Sequence, residues 1–302
     1  MANTPAPKPM MTYERGVLFV LLAGVCWSSF GIGVRLIEVA DVWQILFYRS
    51  LALAPFLIFV ISVRIGNDTF GAIRRAGWAG VVGGISLVFA FSGGIYGIQN
   101  TTVANAMFLF AAAPFFAAIL GKLLLKESVR SGTKWAMLAA TAGIALMVSE
   151  GIFLGHLAGN VAALVSALGF AVFTVALRWR QVEETMPIVF LAGIFAMGTA
   201  AVVLQFTGIG FVVPLNDILV SLVLGIVQVG AGLILYSLGA KAVPAAELTL
   251  LSMTEVVLGP IWTLLLIGET AGVYTLIGGG VLLSAIAANA LTGLQRKPPP
   301  ML

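Results

Sequence analysis

Charge is what this chain has least of. Asp, Glu, Lys and Arg make up 9% of its 302 residues, hydrophobic residues make up 60%, and the mean hydropathy is +1.09. A soluble domain of that composition would expose large apolar patches and aggregate, whereas lipid tails accept the same surface. Cysteine is nearly missing as well. With Cys26 alone, no intrachain disulfide can form, and its place in an apolar run marks it as a small filler. His156 is the one histidine, set in an expected loop with no cluster of further ligands around it to hold a metal. No Gly-rich phosphate loop with its Lys and Ser/Thr is present, which argues against ATP-driven work by this chain alone. Neither a cofactor nor a metal is expected. Long hydrophilic stretches are also lacking, so there is no room for a soluble catalytic or ligand-binding domain.

What remains is a series of apolar runs of about 20 residues, each long enough to cross a hydrocarbon core roughly 30 Å thick. They fall near 16–34, 43–63, 77–98, 102–121, 134–149, 157–177, 187–206, 218–238, 245–266 and 273–293. None shows the alternation of a barrel strand, and backbone groups in lipid must be satisfied within the segment, so the runs read as helices. The expected fold class is all-α integral membrane, with ten transmembrane helices. Residues 1–15, with Pro5, Pro7 and Pro9, read as a disordered lead-in without the short apolar core and cleavage site of a secretory signal. The tail 295–302, with Pro298 to Pro300, reads the same way.

The sixteen Lys and Arg residues are unevenly placed along these runs. With the N-terminus inside, all except Arg35 and Arg49 fall in cytoplasmic segments, from Lys8 and Arg15 to Arg296 and Lys297. The reverse threading would violate the positive-inside bias. Both termini are therefore expected in the cytoplasm. The net charge of +4 then reflects orientation, not nucleic-acid binding.

The chain also repeats itself. Phe115–Ser128 reads FFAAILGKLLLKES and Val257–Thr270 reads VLGPIWTLLLIGET, each ending an apolar helix with a Glu after a leucine-rich run, Glu127 and Glu269. Each copy occupies the fourth run of its half. Five runs per half is an odd number, so residues 16–150 and 151–294 are expected to insert as two inverted five-helix repeats. The segment Val103–Glu127, an Ala-rich helix with a central Pro114 and a closing Glu127, resembles the fourth-helix signature of the drug/metabolite transporter superfamily. Ala245–Glu269 follows the same outline, and CWSSFGIGVR at Cys26–Arg35 is similar to the family's first span. Where many relatives carry Glu-Pro, Glu255 is followed by Val256 and the proline comes at Pro260, which puts a kink at the usual point of the ninth helix in question. The likeness covers nearly the whole chain as two EamA-type repeats, and within the superfamily it points to the aromatic-amino-acid exporter branch. It implies a multi-pass carrier of the bacterial cell inner membrane that exports amino acids, aromatic ones favoured, or similar small metabolites by alternating access. Two complete halves would need no partner chain, so a functional monomer is expected.

Ionisable groups inside lipid spans cost ~2.5–3.5 kcal/mol near the centre, so each needs a reason. Arg49, Glu247 and Glu255 lie well within runs. Glu255, nearest the midplane, reads either as a proton-loading group, gate or substrate contact, or as a structural carboxylate beside Arg49 or Ser252. Arg49 leaves three readings open: snorkelling towards Glu38 or Asp41, holding a substrate carboxylate, or pairing with Glu255 across the halves. Glu247, near the cytoplasmic end, and Asn105 occupy corresponding places in the two repeats. Trp27, Phe30, Phe89, Tyr96, Phe108 and Phe170, with Ser28, Gln228 and Ser252, are candidate walls of a solute cavity. For the aromatics, helix packing competes with that reading, as does an interface belt for Tyr96. Gly143 and Gly278–Gly280 are expected to let helices approach closely. An exporter of cationic drugs stays open through Glu255 in an aromatic site. An enzyme on lipid-like substrates would want several Asp, His or Lys at one interface, which the Glu183–Glu184 pair lacks, and a channel would want rings of polar residues.

Overall fold

The computed structural model describes residues 12–182 and 184–294; Lys8, Arg296, Lys297, both proline-rich ends and Glu183 lie outside the described residues. Within that range all regular structure is helical: α1 Tyr13–Arg35, α2 Val42–Ile65, α3 Thr69–Arg75, α4 Gly77–Asn100, α5 Val103–Phe110, α6 Ala113–Leu124, α7 Ser131–Phe153, α8 Leu157–Trp179, α9 Met186–Thr207, α10 Leu215–Val223, α11 Gly232–Gly239, α12 Ala245–Ile267 and α13 Val273–Leu294. Joined where they are continuous, these give 10 segments long and apolar enough to cross a membrane, each within a few residues of a run predicted above.

Local chemistry sets the boundaries. Asp41 opens α2 with a capping box: its carboxylate accepts from the Trp43 and Gln44 N–H groups, while the Gln44 side chain accepts from the Asp41 N–H. Thr102 caps α5 through the Asn105 N–H. The fourth span is broken at Ala111–Ala112, just before α6, where Pro114 sits in the first turn and has no N–H to offer the preceding helix. The ninth span is not broken. Val256 stands where the related pattern has proline, and α12 stays helical through Pro260 to Ile267. The eighth span carries a different irregularity, a π-helical stretch Leu224–Ala231 between α10 and α11. Such stretches are uncommon and gather at functional sites.

The main packing joins one half of the chain to the other: α4 on α8 and α9, α7 on α13, α2 on α9, and α1 on α11 and α12. Lipid supplies no hydrophobic drive between helices, so close van der Waals approach must hold them. At the α7–α13 crossing a Cβ on Gly143 would stand 2.6 Å from the Gly278 carbonyl oxygen, and one on Gly278 would stand 2.5 Å from that of Gly143. Gly143→Val is therefore expected to cost ~1–3 kcal/mol by overpacking and to lower Tm in detergent by ~5 °C. An unchanged melt would show that the two backbones need not touch.

Candidate functional site

The buried side of α2 is spaced Ile45, Leu46, Arg49, Ser50, Leu53 and Leu57, so helical period alone carries Arg49 inward. Its residue is 3% exposed. The guanidinium carbon lies 5.2 Å from the Phe30 ring centroid and 4.6 Å from that of Phe91, and neither Nε nor Nη1 has a hydrogen-bond partner. No Arg49–Glu255 pair forms: among the described residues the ion pairs are Arg35–Glu269, Arg75–Asp68 and Arg178–Glu127. Nor does Arg49 reach outward to Asp41, whose carboxylate is engaged at the start of α2. Each ring face contributes ~2 kcal/mol to a desolvated cation, so the two together offset part of the several kcal/mol that burial costs but give the N–H groups no acceptor. The site holds an under-compensated positive charge.

A second cluster lies where α1, α11 and α12 meet. Trp27 and Tyr236 have ring centroids 5.2 Å apart, with Ser252 beside the Tyr236 hydroxyl and Glu255 one turn further along α12. The approach is close because α1 presents Gly24, where a Cβ would lie 3.2 Å from Thr254 Cβ and 3.6 Å from the Glu255 nitrogen. Ser28 donates to the Val25 carbonyl at 2.7 Å and accepts from Trp262 Nε1 at 2.9 Å, tying α1 to α12. Phe30 spans the interval, packing near Phe110 at 6.3 Å as well as under Arg49. Gln228, on the π-helical stretch, is buried with its Oε1 unpartnered. That stretch rests on α2: Gly225 leaves space only for the Arg49 carbonyl.

Other candidates go elsewhere. Phe108 is buried with its ring on Gly279 of α13, a packing position. Phe89 and Tyr96 share one exposed stripe of α4 with Trp78, Val82 and Ile85, because that spacing returns to the same face of a helix. They point out of the bundle, with Trp78 and Tyr96 towards its two ends. Phe170 is exposed on α8, 5.6 Å from Phe173. Asn105 and Glu247 sit at the starts of α5 and α12, matching places near the ends of their spans as the sequence set them.

There they belong to a symmetric set of clamps. Tyr13 donates to Glu247 at 2.6 Å, so the starts of α1 and α12 are joined; Arg35 and Glu269 join their ends at 2.7 Å. Asn105 donates to Asn160, joining the starts of α5 and α8; Glu127 and Arg178 join the far ends of α6 and α8 at 2.7 Å. In both cases the first helix of one half runs parallel to the fourth span of the other. Arg35 and Arg178 close the first helices, and Glu127 and Glu269 follow the fourth spans.

The two ion pairs are not in equal surroundings. Glu269 also accepts from the Val103 N–H at 2.6 Å, and Arg35 donates to the Thr101 carbonyl at 2.6 Å, so this pair crosses to the start of the fourth span. Its side chains are 24% and 18% exposed, against 40% each for Arg178 and Glu127, where Arg178 turns back to the Ala117 carbonyl of α6. The Arg35 end carries further stitches. Asp217 accepts from the Glu38, Val39 and Ala40 N–H groups, Gln99 donates to the Ala40 carbonyl, and Glu150 accepts from Thr275. Towards the other end, residues 233–238 and 249–255 are half-buried throughout. Among the described residues the Arg35 end is closed by the larger set of such bonds, and the other end by a smaller one: Arg178–Glu127, Tyr13–Glu247 and the bonds of Arg130 and Thr133 to Asn289.

Sequence reasoning missed Asp217, Phe91 and Trp262, and it saw Arg35 only as an exception to the charge bias. A usable signal was present for the clamps, since Arg and Glu recur at matching places in each half. Nothing in the sequence marked Asp217, which stands at the edge of an apolar run.

Known proteins agree with this architecture. The EamA-like transporter family matches residues 14–149 and again residues 157–291. Two Helicobacter pylori proteins described as uncharacterized transporters, from strains 26695 and J99, are 26% and 23% identical, and the chain spans 53% and 66% of their lengths. The pseudopaline exporter CntI of Pseudomonas aeruginosa is 26% identical over 92% of this chain and 97% of its own. A protein crystal structure that is 20% identical shares the fold with a TM-score of 0.60, over 94% of this chain and 99% of that one. With both halves matched by one family and ten membrane-spanning helices in place, the chain belongs to the EamA-like transporter family.

Proposed function

We propose that this protein is a secondary carrier that exports amino acids, aromatic ones first, or similarly small metabolites across the bacterial inner membrane by alternating access. Residues 16–150 and 151–294 act as its two inverted repeats, both termini face the cytoplasm, and one chain suffices. The observation that carries this reading is the pair of matching ion pairs in unequal settings, Arg35–Glu269 and Arg178–Glu127. A carrier built from inverted repeats can exchange the conformations of its halves, so contacts made at one end have equivalents to be made at the other. The Arg35 end, with its larger set of bonds, and the Arg178 end, with its smaller one, are then the two sides of that exchange. Transporter-named bacterial relatives, one of them an exporter, support the direction and the membrane.

Purified protein in liposomes, tested with a panel of labelled amino acids, decides the matter. Saturable flux that unlabelled solute on the far side accelerates is the expected result. Flux that does not saturate would make it a channel and overturn the proposal. The cluster of Trp27, Tyr236 and Glu255 favours a second reading, export of cationic drugs, because a carboxylate beside aromatic rings suits a cation. Flux of cationic dyes without flux of any amino acid would select it.

A further inference from the structure

We infer that Arg49 is the anchor for an acidic group on the transported solute, and that the solute class is organic acids and zwitterions carrying a free carboxylate. The inference rests on the carrier reading above and adds the chemistry of what is carried. An arginine is protonated at any working pH, so burial cannot be relieved by losing its charge. Arg49 is 3% exposed, makes no ion pair, and leaves Nε and Nη1 without acceptors. Phe30 and Phe91 hold the group in place, but a ring face accepts no N–H bond of the strength those donors lack. A carboxylate supplies both the counter-charge and the acceptors, in the planar form a guanidinium fits best.

A second orphan, on an element that packs against α2, extends the argument. The π-helical stretch that touches the Arg49 carbonyl through Gly225 carries Gln228, buried with an unpartnered acceptor oxygen. A donor lacking acceptors and an acceptor lacking a donor, on touching elements, match a solute with an acidic end and an N–H end. The three elements meeting here, α1, α2 and the π-helical stretch, come from both halves, which is where a carrier must hold its cargo.

The experiment uses the full chain in detergent, with thermal melts as readout. Phenylalanine, 3-phenylpropionate and leucine are compared with phenylalaninamide, phenethylamine and leucinamide at equal concentration. The carboxylates are expected to raise the wild-type Tm by ~5 °C when present about a hundredfold above Kd, and their uncharged or cationic counterparts to leave it unmoved. Arg49→Met, similar in length but apolar, should melt above wild type, because an uncompensated charge is gone, and should lose the response to carboxylates. Arg49→Lys should keep less than a tenth of the wild-type affinity.

Arg49→Met melting below wild type would make the residue a structural post and overturn the inference. So would amides acting as well as acids, or no carboxylate shifting the wild type, and neither comparison depends on the variant folding. The carrier reading fails differently. Saturable flux indifferent to the carboxylate would sink the role of Arg49 and leave the carrier standing, whereas absent flux for every solute would strike the carrier alone.

Discussion

Glu269→Gln is expected to slow solute exchange at least tenfold while leaving the protein folded. Glutamine keeps the size of the side chain but removes its charge. The change weakens two charge-assisted bonds together, those from Arg35 and from the Val103 N–H. Charge-assisted hydrogen bonds contribute ~1.5–3 kcal/mol each, and the pair is less than a third exposed, so a loss of ~2 kcal/mol to the sealed state is a conservative figure. That shifts a two-state equilibrium about thirtyfold towards opening at the Arg35 end. In a Cys26→Ala background, a Ser252→Cys thiol should become reactive from that end to a membrane-impermeant reagent and less reactive from the other. The exchange Arg35→Glu with Glu269→Arg should restore much of the wild-type pattern. Glu127→Gln should act weakly in this state, because its pair is 40% exposed and exposed pairs contribute ~0–1 kcal/mol. Wild-type labelling and flux in Glu269→Gln would falsify the lock.

The second large effect is on stability. Asp217 is 1% exposed, and its carboxylate takes the N–H groups of Glu38, Val39 and Ala40 at 3.2, 3.0 and 2.8 Å. These donors belong to the turn between α1 and α2, so one side chain from the second half organises the sealed end of the first. Asp217→Ala would strand the buried Ala40 donor at ~1–3 kcal/mol and leave those of exposed Glu38 and Val39 to water, and a Tm fall of ~5 °C is expected. Asp217→Asn keeps one acceptor and should fall between the two. Amide exchange at residues 38–40 offers an independent check: fast exchange in Asp217→Ala with wild-type exchange along α7 would localise the effect. A melt within a degree of wild type would mean that water satisfies the turn.

Much of this molecule is local and could be read from one dimension. Ten spans follow from the length of the apolar runs, because lipid enforces a helix wherever such a run crosses it. The fourth span breaks beside Pro114, while α2 and α12 continue through Pro55 and Pro260, so a proline marks where a span can break and packing decides whether it does. Gly143 and Gly278 marked a close crossing because only the absence of a side chain permits one. Glu127 and Glu269 showed in the repeated pattern, and their importance as clamps lay with Arg178 and Arg35, which the pattern did not connect to them.

Which face of each helix turns inward was decided only by the tertiary structure. Lipid and protein interior are equally apolar, so hydropathy does not separate a residue like Phe89, on the outer stripe of α4, from Phe91 two places on, packed against Arg49. The partners that seal the bundle lie far apart in the chain, as Arg35 and Glu269 do at a separation of 234 residues. Whether a buried charge finds a counter-charge depends on which helices the fold makes neighbours. Packing placed Arg49 among phenyl rings and without a carboxylate partner, and that choice left the buried positive charge without a counter-charge.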